Sequence, residues 1–303
     1  MSFNPNAKLD PSQVEDAGRG SSLGGRGIAV GGGGLGIVGI IVYLALTALT
    51  GGSVAGGLGD LSGQAVGQGG SAATLSECKT GADANRLEAC RAVGYVNSVQ
   101  AWWKTEFAAG GKSYTPATTV FFEDSTNTGC GPATTDVGPF YCPADKHVYI
   151  DLGFFQELHD KFGATAGSFA QGYVLAHEYG HHVQDLLGIE SQVRTRQGPT
   201  SDSVRLELQA DCFAGVWAKH ATEPGADGSP ALISEITTDD FDRALDAASR
   251  IGDDWIQKNL GGGTVQQDKF THGSSAQRKK WLTTGYQTGD PNSCDTFSAS
   301  NLG

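Results

Sequence analysis

The sequence has no basic cluster. Its 21 Lys and Arg are outnumbered by 33 Asp and Glu, for a formal net charge of −12. A strongly acidic chain without a basic stripe argues against nucleic-acid binding. It has no CxxC pair although it has 6 cysteines, which argues against a Cys-rich structural zinc site. It shows no internal repeat. Over residues 28–50 it lacks charge altogether, and no Lys or Arg follows Arg26 until Lys79.

An uncharged run of that length reaches across a bilayer, which takes about 20 residues. Its first third is Gly-rich, a composition that membrane helices tolerate. Arg19 and Arg26 precede the run, so the positive-inside rule puts the N-terminus in the cytoplasm and the large domain outside. The expectation is a single-pass protein of the cell membrane with an extracytoplasmic domain. It divides into a disordered cytoplasmic tail over 1–27, a transmembrane helix over 28–50, a Gly/Ser-rich linker over 51–76 and a globular domain over 77–303. A cleaved signal peptide competes with this reading, because Ser53, Val54 and Ala55 offer small residues after the apolar run. Such a leader would be very long and would carry Asp10, Glu15 and Asp16, unlike an ordinary n-region. Both readings export the domain, and the cysteines fit an oxidising compartment. Pairing of sequence neighbours joins Cys78 to Cys90 and Cys130 to Cys142, which leaves Cys212 for Cys294. Free buried thiols are the alternative.

His177-Glu178-Tyr179-Gly180-His181 is an HExxH. On a helix, residues four apart lie on one face. His177 and His181 therefore offer two imidazoles to one cation, and Glu178 stands where a base can take a proton from activated water. A zinc hydrolase usually takes three protein ligands and keeps one position for water. The continuation HExxHxxGxxH, with a third histidine, is excluded because Gln184 and Leu187 occupy the Gly and His places. Glu207 is the best candidate for the third ligand. It opens the run Glu207-Leu208-Gln209-Ala210-Asp211, beside an apolar stripe of Leu206, Ala210, Phe213 and Trp217 at helical spacing. Asp211, one turn on, suits the carboxylate that accepts the other ring N–H of a ligating histidine. An ExxxD pair alone is usually a solvated charged face, but this one adjoins apolar residues. His182 points elsewhere and reads as a packing or surface residue. Gly172 and Gly180 each cost roughly 1 kcal/mol against Ala in a helix interior, which points to close packing, with a neighbouring backbone near the metal. Gly188 is a sensible helix stop.

Hydrophobic spacing predicts helices over 86–107, 154–162, 169–187, 203–219 and 275–286, and another through Phe241, Leu245, Ala248, Ile251 and Trp255. Ser201 or Ser203 caps the fourth helix, and Ser274 the last. Strands are expected at 118–123 and 147–152, with a Gly/Pro/Cys loop between them. Trp102 and Trp103 read as core. Together these give a mainly helical α+β domain with a small sheet, the frame of a zincin-like metallopeptidase.

HEYGHHVQ, then ELQAD, then Thr271-His272-Gly273 with Arg278 behind it, resemble the bacterial neutral zinc metallopeptidase family (YpfJ-like). So do Cys130-Gly131-Pro132, Phe140-Tyr141-Cys142-Pro143-Ala144-Asp145 and Val148-Tyr149-Ile150-Asp151-Leu152. Val14-Glu15-Asp16 matches too, although the usual Arg-Arg-Gly after it reads Ala17-Gly18-Arg19-Gly20. The resemblance covers almost the whole chain. It implies a membrane-anchored peptidase of the gluzincin type with one catalytic Zn²⁺, Glu178 as base, and a peptide or protein substrate. A weaker similarity of HExxH, ExxAD and THxxxxxR to prenyl-protein and heat-shock membrane proteases supports the same ligand set. The resemblance also makes His272 a candidate donor to the oxyanion and Arg278 a candidate transition-state support. Otherwise His272 is a loop histidine and Arg278 a surface cation. A peptide would add as a strand beside one sheet edge. The competing functions are a zinc amidase acting on a cell-wall amide, an inactive zinc-stabilised binding module, and a structural membrane tether. Retention of Glu178 argues against the module, since a binder needs ligands but no base.

Overall fold

Thr118–Glu123 reads TTVFFE, and its four middle residues are buried. A short run of β-branched and aromatic residues buried on both faces is what a central strand looks like. The computed structural model describes residues 1–19, 75–165 and 167–303. Its elements are, in order, β1 (Ser2–Phe3), β2 (Val14–Arg19), α1 (Gly81–Arg86), α2 (Glu88–Ala109), β3 (Thr118–Glu123), β4 (Ser125–Thr128), β5 (Gly131–Thr134), β6 (Phe140–Cys142) and β7 (His147–Asp151). Then follow α3 (Phe154–Asp160), α4 (Ser168–Leu186), α5 (Asp202–His220), β8 (Ile233–Glu235), α6 (Thr238–Arg250), α7 (Asp253–Asn259) and α8 (Ser275–Thr288). The main sheet has the order β2-β3-β7-β6. Its first three strands run parallel and β6 antiparallel, which leaves β2 and β6 as the edges.

Helices pack on this sheet through one main core. Trp217 of α5 stacks on Phe169 and meets Tyr95 of α2 edge-on, with ring centroids 5.9 and 6.2 Å away, and its Nε1–H donates to Ser98 Oγ. Trp103 is buried and Trp102 half-buried, as core residues would be. α5 and α8 touch backbone to backbone. A Cβ on Gly285 would lie 1.9 Å from Cys212 O, and one on Gly215 would lie 2.2 Å from Leu282 O. Gly285→Ala should therefore force these helices apart. We expect a loss of about 3 kcal/mol, the upper part of the overpacking range, read as a lowered Tm.

Three expectations are corrected by the fold. No helix among the described residues is long and apolar enough to cross a membrane. The span expected at 28–50 lies outside the described residues, as does the linker up to residue 74. The supposed tail is also not one over its first nineteen residues. Val14, Glu15 and Asp16 pair in parallel with Thr119, Val120 and Phe121, and Phe3 is buried 5.2 Å from the Tyr95 ring. The reason is burial: Phe3, Leu9 and Val14 join the main core. This packing also overturns the expected location. A strand hydrogen-bonded into the sheet of the large domain cannot lie across a membrane from it, so a cytoplasmic N-terminus with an extracytoplasmic domain does not hold.

Smaller differences have local causes. The helix expected over 86–107 begins as α1 and breaks at Leu87, which is extended. The one expected through Trp255 breaks at Gly252, also extended, into α6 and α7. The Gly/Pro/Cys loop holds the β4–β5 hairpin and strand β6. The expected caps are found: Ser201 Oγ accepts from Val204 N, and Ser274 forms a capping box with Gln277.

Candidate metal centre

Two helices bring the site together. α4 carries His177, Glu178 and His181, and α5 carries Glu207 and Asp211. A Cβ on Gly180 would sit 3.0 Å from Ala210 Cα and 3.1 Å from Ala210 O. The expected neighbouring backbone near the site is thus that of α5, between Glu207 and Asp211. Gly172 instead makes room for the Tyr95 ring, whose Cε1 lies 2.7 Å from the Cβ position. Gly188 is left-handed and follows the end of α4, as a stop should.

His177, His181 and Glu207 each point one ligand atom into a common point, all within 4.8 Å of one another. His177 Nε2 lies 3.3 Å from Glu207 Oε2, and His181 Nε2 lies 3.3 Å from Glu207 Oε1. All four atoms are buried and make no hydrogen bond, and neither does Glu178 Oε2. A buried polar atom left so costs about 1–3 kcal/mol, more if charged. Two imidazoles and a carboxylate converging in this way fit a cation, and they match the three-ligand donor set of a catalytic zinc.

A second layer fixes both histidines. His177 Nδ1–H donates to Asp211 Oδ1 at 2.9 Å, which turns the Nε2 lone pair toward the centre. Asp211 also accepts from Tyr173 OH at 2.7 Å and from both Nε and Nη2 of Arg278, at 2.8 and 2.9 Å. Burial opposes the Asp211 charge, but Arg278 and His177 beside it hold its pKa down at about 2. Arg278 is therefore neither a surface cation nor a free transition-state donor. It is buried and forked onto Asp211. Removing it strands a buried carboxylate, so Arg278→Met should cost about 3–5 kcal/mol. Chemical denaturation of the purified variant measures this.

His181 Nδ1–H donates to Gln184 Oε1 at 2.8 Å. The Gln184 amide is itself oriented, since Nε2 donates to Leu206 O at 2.7 Å and to Gln209 Oε1 at 3.1 Å. Gln209 in turn donates to Cys294 O at 2.9 Å. The sequence marks Gln184 only as a departure from the third-histidine motif. Its position three residues after His181 on the same helix is the signal that could have found it.

His272 is fully buried in the loop before α8. Its ring Nδ1 lies 2.7 Å from Thr271 Oγ1. Burial opposes the Glu207 charge, but His181 and His177 beside it, with a smaller contribution from His272, hold its carboxyl well below the usual range. The loop is clamped by a residue that sequence reasoning missed. Asp253 Oδ2 accepts the backbone N–H of Thr271, His272 and Gly273 at 2.8, 2.7 and 2.9 Å. For Glu178, burial pushes the carboxyl up, and His177 and His181 oppose this. His182 is buried away from the centre, donating Nε2–H to Thr115 O at 2.7 Å, in keeping with a packing role. Disulfides join Cys78 to Cys90, Cys130 to Cys142 and Cys212 to Cys294, the neighbour pairing expected. The last ties the C-terminal tail to the residue after Asp211.

Residues 6–297 match the family described as "Putative neutral zinc metallopeptidase". An uncharacterized protein of Mycobacterium tuberculosis (strain H37Rv) is 51% identical over 231 residues, covering 76% of this chain and 77% of its own. The uncharacterized protein YpfJ of Escherichia coli K12 is 41% identical over 304 residues, covering 97% of this chain and 98% of its own. No solved structure matches the chain. Agreement that runs nearly from end to end, and includes the helices that build the centre, places the chain plainly: it belongs to the neutral zinc metallopeptidase family.

Proposed function

We propose that the protein hydrolyses peptide bonds with Glu178 as general base, in a centre held by His177, His181 and Glu207. One observation carries this reading: a buried carboxylate oxygen of Glu178 without a hydrogen-bond partner stands beside three converging ligand side chains that do not need it. Zinc bound by His177, His181 and Glu207 would supply Lewis acidity, lowering the pKa of water and polarising the scissile carbonyl.

The chain's own residues do the rest. Glu178 Oε2 takes a proton from the attacking water and returns it to the leaving amine. Asp211, gripped by Arg278 and Tyr173, keeps the His177 ring in its ligating tautomer, and Gln184 does the same for His181. His272, on the loop clamped by Asp253, donates to the oxyanion as charge develops on the carbonyl oxygen. The peptide runs beside the edge strand β6. Gly138 and Pro139, just before it, line a cavity that reaches His177 and Glu178, and an edge strand can accept a peptide as an added strand.

The test is a digest of a peptide library, with cell-wall amides in the same scan, by purified protein with zinc and with chelator. Zinc-dependent peptide cleavage is the expected result; cleavage of the wall amides alone would overturn the peptidase reading. The donor role has its own check. His272→Ala should lower kcat by about 10²–10³, the usual cost of one oxyanion donor, with bound zinc unchanged. Unaltered kinetics would return His272 to an ordinary buried loop residue.

A further inference from the structure

We propose that the disulfide between Cys130 and Cys142 is a redox-sensitive staple on one wall of the cleft beside Glu178. Closed, it holds that wall for substrate; cut by a small thiol, it lowers turnover without releasing the metal. The proposal rests on the peptidase reading and names a regulation of that same centre.

The bond closes a loop, and the loop is the wall. Cys130 lies between β4 and β5, and Cys142 ends β6, at a sequence separation of 12. Between them, Thr135, Asp136, Gly138 and Pro139 line the cleft that reaches His177 and Glu178. Little else holds this wall. Among the described residues β4 and β5 pair only with each other, and a lone two-stranded hairpin is marginally stable at best in water. Thr135 donates its N–H to Asp124 O at 3.1 Å and its hydroxyl to Asp151 Oδ2 at 2.5 Å. Ala133 and Val137 pack into a small second core with Phe122 and Phe140. The helices α4 and α5, which carry the metal ligands, belong to the main core instead. Cutting the bond therefore returns conformational freedom to the wall and leaves the ligands in place.

Access selects this bond. Cys130 is half-buried, whereas Cys142 and the four cysteines of the other two disulfides are fully buried. Exchange requires a thiolate to reach a disulfide sulfur. The thiolate of the reductant attacks Sγ of Cys130, and Cys142 leaves as a thiolate and takes a proton. A second reductant thiol then attacks the mixed disulfide at the reductant's sulfur and frees the Cys130 thiol. Two reductant thiols are oxidised to one disulfide, and the protein gains two thiols.

The experiment equilibrates zinc-loaded protein in glutathione buffers running from oxidised to reduced. Alkylation with mass mapping reads each disulfide, hydrogen exchange the backbone, elemental analysis the zinc, and peptide cleavage kcat and KM. The bond between Cys130 and Cys142 should open first. The amides of 131–139 should then exchange about tenfold faster or more, while those of 173–184 and the zinc per chain stay as they were. kcat/KM should fall about tenfold or more, chiefly through KM, and recover on reoxidation. Cys130→Ser/Cys142→Ala should behave as the reduced protein in every buffer; should it not fold, the reversible titration of wild type decides alone. The staple is overturned by a bond that stays closed in reduced glutathione or opens after another disulfide. It is equally overturned by unchanged exchange or kcat/KM once the bond is open, or by zinc lost along with activity. The peptidase reading stands in all these cases. No cleavage by oxidised wild type overturns the peptidase reading instead. Faster exchange of 131–139 on opening then supports the staple, and unchanged exchange overturns it.

Discussion

Glu178→Gln should lose turnover by about 10²–10⁴ while keeping its metal and its fold. That range is what a general base contributes, and the geometry isolates the effect. Glutamine has the same shape as glutamate, so the packing around a side chain that is 2% exposed stays filled. The exchanged oxygen, Oε2, has no hydrogen-bond partner to lose. Glu178 is also outside the converging group of His177, His181 and Glu207. Three measurements on one preparation settle the matter: kcat, zinc per chain and Tm. Near-normal kcat would remove Glu178 as base and with it the mechanism above.

Glu207→Ala should empty the centre. Wild-type protein should carry one zinc per chain, and the variant close to none after dialysis against a weak chelator. Glu207 places both its oxygens against the two imidazoles, at 3.3 Å from each Nε2. Without it, two neutral nitrogens remain where a catalytic zinc usually has three protein ligands. Even residues that only orient ligands change metal affinity by 10–100-fold, and a ligand should exceed that. Elemental analysis of both proteins is the check, and equal zinc in the two would strike Glu207 from the centre. Activity should vanish together with the metal, which separates this variant from Glu178→Gln, where the metal stays.

The centre was legible because its chemistry is written in helical spacing. His177 and His181 are four apart, as are Glu207 and Asp211, and each pair marks one face of its helix. The groups that orient them carry no such mark. Gln184 and Gln209 are amides, ordinary anywhere on a surface, and only the fold buries them between α4 and α5. Asp253 was read as part of a continuous helix, because the apolar spacing runs through Gly252 while the backbone does not. Arg278 stood in the right motif with the wrong partner. Nothing in the order of residues tells a cation aimed at substrate from one forked onto Asp211.

The N-terminal segment shows the opposite failure. Val14–Arg19 reads VEDAGR, which has no β-branched or aromatic run. It is a strand because β3 offers it an edge, a tertiary influence that overrides propensity. The uncharged run at 28–50 was read from hydropathy and flanking charge, neither of which knows that residues 1–19 return to the sheet.

That return sets a timetable. Ser2 meets Ser234, 232 positions later, and β1 has no partner until β8 exists. Contacts so distant in sequence slow folding, because a large loop must close before they form. Synthesis proceeds at about 5–20 residues per second, so β1 waits roughly ten to fifty seconds for its mate to be made. The pairing of β1 is thus among the last to form, and this sheet closes only after most of the chain has left the ribosome.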